Sequence, residues 1–183
     1  MGASVWTSKV PYQADIAAAL QEAREIAYRE GDFYRDEPDV KARRMSEEEY
    51  VAAEVAAEHA SRVAAFGEED AGEPSDEFAR VSWQAAQVVV TDPDTLLESQ
   101  PFSGTHSVID MTGVADHPAA GRVAPLPHDD LDKWFGTRRP DVAAVERALG
   151  EGLSGFERWH GAYVIAYAGD RPDTIYFCGW SGD

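Results

Sequence analysis

The chain of 183 residues holds one cysteine, Cys178. A lone thiol excludes an intrachain disulfide and any metal site built from several thiolates. Basic residues are scarce as well: 16 Lys and Arg stand against 34 Asp and Glu, a formal net charge of −18. That balance repels nucleic-acid phosphate and anionic lipid, so nucleic-acid binding through direct phosphate contact is not expected. No stretch approaches the roughly 20 apolar residues that span a bilayer, and the opening Met1-Gly2-Ala3-Ser4-Val5-Trp6 lacks a basic segment followed by an apolar one. A cytoplasmic protein with no membrane contact is the expectation. The glycine-rich loops lack the Lys-Ser/Thr pair of a phosphate-binding loop, so no cofactor is expected. His117 and His128, with Asp116, Asp129 and Asp130, lack metal-ligand spacing, and no metal is expected there.

The most legible stretch is the last 25 residues. Two β-branched and aromatic runs, residues 162–168 and 174–180, flank the turn-rich Gly169-Asp170-Arg171-Pro172-Asp173, which predicts a β-hairpin tied into the core. Residues 5–10 read as a further strand, stopped by Pro11. Residues 105–111 read as a buried strand on the strength of Val108 and Ile109. Period-two geometry then places His106 and Asp110 on one face, about 13 Å apart.

Helices punctuate the rest. Ile16, Ala19, Leu20, Ala23, Ile26 and Ala27 recur at three-to-four spacing and predict a helix over residues 13–30, closed by Gly31. Ser46 and Glu49 form a capping box opening a long helix whose apolar line runs through Val51, Val55, His59, Val63 and Phe66, with Gly67 as its stop. On that line His59 reads as a partly buried core imidazole. Residues 67–77 form an acidic, mobile loop. Residues 78–90 fit a helix through Phe78, Val81, Ala85 and Val88, although Val88-Val89-Val90-Thr91 alone fits a strand; helix followed by a break is the expectation. Short helices are predicted over residues 91–99, 129–135 and 140–149.

These elements combine into a single α+β domain over residues 1–183: a small, mainly antiparallel sheet including the C-terminal hairpin, covered by amphipathic helices. The segments Val10-Pro11-Tyr12-Gln13, Gly104-Thr105-His106-Ser107-Val108-Ile109-Asp110 and Pro172-Asp173-Thr174-Ile175-Tyr176-Phe177 resemble a group of uncharacterised small acidic actinobacterial proteins. The resemblance brings no activity to any residue.

Two functions from different classes follow. The absence of a catalytic signature, together with an acid-rich region, points to a non-enzymatic protein that engages a basic protein partner, such as an immunity or antitoxin-type inhibitor. Its binding residues would be Glu68, Glu69, Asp70 and Glu73, with Trp159 and Trp180 as aromatic anchors. The alternative is a small enzyme or ligand-binding domain of specialised metabolism. It would use the cluster gathered where the hairpin ends meet: His160, Cys178 and Trp180, with His106 as a further candidate.

Overall fold

The C-terminal hairpin forms as its sequence directs, but it lies in the middle of the sheet. This computed structural model describes residues 4–70, 72, 75–153 and 157–182. Strands β4 (His160–Ala168) and β5 (Arg171–Trp180) are antiparallel neighbours joined through Gly169 and Asp170. That turn is tighter than the five-residue loop the sequence suggests. Gly169 supplies a φ of +65°, and a register shift between Ala166 and Tyr167 sets Tyr167 opposite Pro172, so the second strand begins earlier.

Strand β1 (Val5–Pro11) runs antiparallel along the free side of β5, with Val5 opposite Trp180 and Pro11 opposite Thr174. Beyond β4 lie two short parallel strands, β2 (Gly113–Val114) and β3 (Arg122–Pro125), giving the order β1-β5-β4-β3-β2. The sheet is mostly antiparallel, and the domain is α+β.

Residues 105–111 are not a strand. Thr105 donates its amide (2.6 Å) and hydroxyl (2.8 Å) to Asp110 Oδ1, and Ser107 Oγ accepts from the Ile109 amide at 3.2 Å, opening a 3-10 turn over Val108–Asp110. Short polar side chains that bond their own backbone compete with a ladder, and here they win. Val108 and Ile109 are buried all the same, so the β-branched bulk that suggested a strand serves a turn instead. Two short strands come instead from the proline-bearing stretch that follows, Gly113–Val114 and Arg122–Pro125.

Helices cover both faces. Helix α1 (Ile16–Glu30) starts at Asp15, whose carboxylate accepts from the amides of Ala17 and Ala18, and ends at Gly31 with φ +73°. It lays Ala19, Leu20, Ala23 and Ala27 into a core with Trp6, Val10, Ile175, Phe177 and Val123. Helix α4 (Pro93–Glu98) adds Leu96 to that core. On the opposite face, helices α5 (His128–Phe135) and α6 (Val142–Gly150) enclose Leu126, Ala162, Val164, Ala166, Tyr176 and Cys178, with Val145 and Ala148 from α6.

Helices α2 (Glu47–Phe66) and α3 (Glu77–Gln87) form a third unit. The Ser46–Glu49 capping box is present, and α3 is helical to Gln87 before the break at Val88. Their small core joins Tyr50 and Val51 to Ala79, Ala86, Ala42 and, more exposed, Trp83. Arg80 meets Glu47 at 3.0 Å, Trp83 Nε1 donates to the Met45 carbonyl and Gln87 Nε2 to the Ala42 carbonyl, so α3 packs on the start of α2 and on the segment before it. No residue from Ala56 to Phe66 is buried. The expected apolar line through His59, Val63 and Phe66 therefore faces outward or sits half-covered, because alanine supplies too little bulk to recruit a neighbour. At 1.5 Å per residue that outer half projects about 16 Å.

Among the described residues no helix is long and apolar enough to cross a membrane.

Candidate functional site

Three places hold the residues singled out by sequence. The first is the meeting of the hairpin ends. Trp159 takes a φ of +64°, donates its amide to the Trp180 carbonyl at 3.0 Å and accepts from the Gly121 amide at 2.7 Å. Its indole lies so close to Gly104 and Gly182 that a Cβ at either position would strike the ring. Trp159 and Trp180 are both half-buried, so these rings are packed into the sheet end rather than displayed.

His160 follows Trp159. Its Nδ1 lies 2.8 Å from the Arg158 carbonyl, and a carbonyl oxygen only accepts, so Nδ1 carries the proton and, in the neutral ring, Nε2 is the acceptor. Gly179 lets this backbone close up: a Cβ there would meet the His160 carbonyl and the Trp6 indole. His160 lines a cavity of about 440 Å³ between α5 and the β3–β4 pair.

Cys178 does not reach that cavity. Register sets it opposite Ala162, one diagonal step from His160; its residue is 1% exposed, and burial pushes the thiol up to about 12. A thiol held protonated among Tyr176, Val164 and Ala162 is a small core residue, not a nucleophile. The hairpin end therefore brings together His160 and the two tryptophans, but leaves no Cys–His couple.

The second place is the 104–110 turn. Because the segment is a turn and not an extended strand, His106 acts electrostatically on Asp110, replacing the 13 Å separation that strand geometry implied. His106 has a φ of +53°, and its ring stacks on Tyr34 with centroids 4.7 Å apart. Asp110 is 4% exposed. Burial raises its carboxyl above the ordinary value, against the lowering by hydrogen bonds from Thr105 and Ser107 and by His106. Four buried polar atoms lack a hydrogen-bond partner among the described residues: Trp6 Nε1, His106 Nε2, Asp110 Oδ2 and Trp180 Nε1. Trp6 and His106 also line a polar cavity of about 240 Å³ with Asp32 and Thr7. His106 and His160 thus belong to separate cavities, and no single site contains both.

Positive φ at a non-glycine residue is costly, and among the described residues only His106 and Trp159 show it. The two strained positions are joined through Gly104, which abuts the Trp159 ring and neighbours the turn.

The third place is the acidic arm. Glu68, Glu69 and Asp70 are all exposed at the end of α2, while Glu73 lies outside the described residues. Residues 46–77 carry eleven acidic residues against a single arginine, Arg62, a balance of −10 out of the chain's −18. Apolar surface accompanies the charge: Phe66 is 68% and Phe78 61% exposed, and Phe78 stacks on Phe102 at 4.2 Å. Sequence reasoning placed Phe66 and Phe78 on the apolar lines of their helices and passed over Phe102. It weighed Asp130 only as a metal ligand and did not connect it with Trp134, one turn further along α5, or with Glu157, which share the His160 cavity; no local spacing links the α5 residues to Glu157 and His160.

His59, His117 and His128 are exposed, and among the described residues no three His, Cys, Asp or Glu stand close enough to hold a metal ion. The run Gly150-Glu151-Gly152-Leu153-Ser154-Gly155 has the G-x-G-x-x-G spacing of a dinucleotide turn. It follows helix α6 and leads to strand β4, the reverse of the strand-then-helix order that such a turn needs to aim a helix N-terminus at phosphate.

No family model, no curated protein and no solved structure matches the chain.

Proposed function

We propose that this is a non-enzymatic binding protein of the cytoplasm that presents the α2–α3 arm to a basic protein surface, in the manner of an immunity or antitoxin-type inhibitor. One observation carries the reading. The outer half of α2 has no buried residue and belongs to a segment holding −10 of the total charge. A twenty-residue helix with no buried residue over its outer half gains little from its own fold, because helix stability in proteins comes mainly from packing one face. Acid of one sign speeds encounter with a basic partner, and the exposed Phe66 and Phe78 supply apolar contact area once the surfaces meet.

The test is capture from native lysate at low and moderate salt, read by mass spectrometry, with wild-type protein and an E68K/E69K/D70K variant side by side. A stoichiometric basic partner that is lost at moderate salt and lost with the variant is the expected result. Equal capture by the charge-reversed variant at low salt refutes the acidic-surface reading.

A further inference from the structure

The cavity beside His160 lies in a different part of the molecule from the arm, and its lining has a chemical bias of its own. Ala124 of β3 and Ala162 of β4 are register partners on the face turned towards α5. Strand positions favour bulky β-branched residues, and two alanines side by side leave a shelf where Val or Ile would have filled the space. Helix α5 buries no residue of its own, so it roofs the shelf without closing it. The resulting volume of about 440 Å³ falls within the range that small-molecule sites occupy.

Pro125, Leu126 and Trp134 make one part of the lining apolar and aromatic. The polar groups are mainly acceptors. Asp130 and Glu157 contribute carboxylates that have no ion-pair partner among the described residues. The neutral His160 ring contributes Nε2 as an acceptor, because Nδ1 is committed to the Arg158 carbonyl. Lys133 also lines the cavity, but its ammonium sits over the Trp134 ring, 5.7 Å from the centroid. Two carboxylates against one ammonium leave the lining net negative, and with the His160 acceptor this favours a ligand that donates hydrogen bonds and carries positive charge.

We infer that this cavity is a binding site for a small aromatic amine. The ring lies against Trp134 and Leu126, and the ammonium is held by Asp130, Glu157 and His160 Nε2. Charge-assisted hydrogen bonds fix the head, and apolar burial supplies the remaining affinity. The inference does not depend on the function proposed for the arm.

Phenethylamine is the probe, titrated by calorimetry against the full chain, with phenylacetate and 2-phenylethanol as anionic and neutral counterparts of similar size. Phenethylamine should bind at least about tenfold more tightly than either, the factor expected for one charge-assisted hydrogen bond. D130N/E157Q should lose about tenfold for the amine and leave the alcohol unchanged. Ala124→Leu should abolish binding while keeping the native circular dichroism and melting transition, because its side chain enters existing space. E68K/E69K/D70K should bind the amine like wild type, which separates this site from the arm. Equal affinity for phenylacetate, unchanged binding in a folded Ala124→Leu protein, or no binding of the amine at millimolar concentration overturns the assignment.

Discussion

Arg24 is, with Asp110, one of two buried charged residues among the described residues, and removing it tests which of its partners matters. It is 4% exposed on the inner face of α1. Nε donates to the Ile109 carbonyl at 3.2 Å, one terminal nitrogen to Gln21 at 2.9 Å, and the other to Asp94 at 2.6 Å. These partners differ in kind. The Ile109 carbonyl belongs to the buried turn that replaces the expected strand, whereas the Asp94 side chain is 66% exposed. Replacing Arg24 with Met keeps most of the stem volume and strands the carbonyl, at a cost of about 2 kcal/mol from the 1–3 typical of a buried acceptor left unpaired. Asp94→Ala removes an exposed partner whose place water takes, at about 0.5–1 kcal/mol. Urea unfolding followed by circular dichroism measures both. With an m-value of about 2 kcal/mol/M the midpoints should fall by about 1 M and by at most 0.5 M. If Asp94→Ala is the more damaging, the bond that holds α1 to α4 carries the stability and the argument from the Ile109 carbonyl is refuted.

Gly104 combines a φ of +66° with a Trp159 ring that leaves no room for a methyl group, so Gly104→Ala should cost about 3 kcal/mol in the same assay and shift tryptophan emission; a loss under 1 kcal/mol contradicts the packing described. Asp110 gives a pH signature. Its folded-state value is raised, so the proton is held more tightly in the folded protein, and the stabilisation is full below about pH 4 and declines as pH rises through the folded value. Asp110→Asn keeps an oxygen for Thr105 and does not titrate, so wild type should lose stability relative to the variant between pH 4 and pH 7, read from urea midpoints; a flat or rising difference refutes it. Cys178, with its thiol pushed up to about 12 and no exposure, should resist a disulfide-exchange reagent at pH 8 in the native protein and react fully in denaturant; fast native labelling would place the thiol elsewhere.

How much of this was legible in the sequence depends on the range of the interaction. The capping box at Ser46–Glu49, the glycine that closes α1 and the terminal hairpin are set by residues a few positions apart, and each formed as expected. Residues 105–111 failed because two local signals conflict. Val108 and Ile109 favour a strand, while Thr105, Ser107 and Asp110 bond one another and select a turn. β-branched bulk marks burial before it marks a strand. Strands β2 and β3 are two and four residues long; β3 gains order from pairing with β4 across more than 35 positions, a contact no window of sequence displays, and β2 pairs only with β3. For the sites, His160 was identified by its place at the hairpin end, but its cavity is made by two alanines and by residues of α5 that no spacing connects to it. Charge told the reverse story. The acid-rich stretch stood out in the sequence, and the structure adds the exposed outer helix and the phenylalanines beside it.

The arm and the cavity belong to different cores, and this bears on how they act. The arm joins the body through the loop before α2: Arg43 Nε donates to the Ala86 carbonyl at 2.9 Å, and Tyr50 donates its hydroxyl to Asp39 at 2.7 Å. From that loop a short chain of contacts runs inward, from the Tyr34 hydroxyl to Asp36 at 2.8 Å, from Ser103 to Asp36, and from the Tyr34 ring to His106. Phe102, which stacks on Phe78, directly precedes Ser103. A partner pressing on Phe78 therefore bears on the segment that positions the strained His106, whereas the His160 cavity sits in the α5–α6 core across the sheet. Energetic effects spread through shared packing and fade between clusters that share no side chain. Occupation of the arm should reach the Tyr34–His106 stack before it reaches His160, and the two imidazoles, one strained at a turn and one fixed by a carbonyl, report on different events.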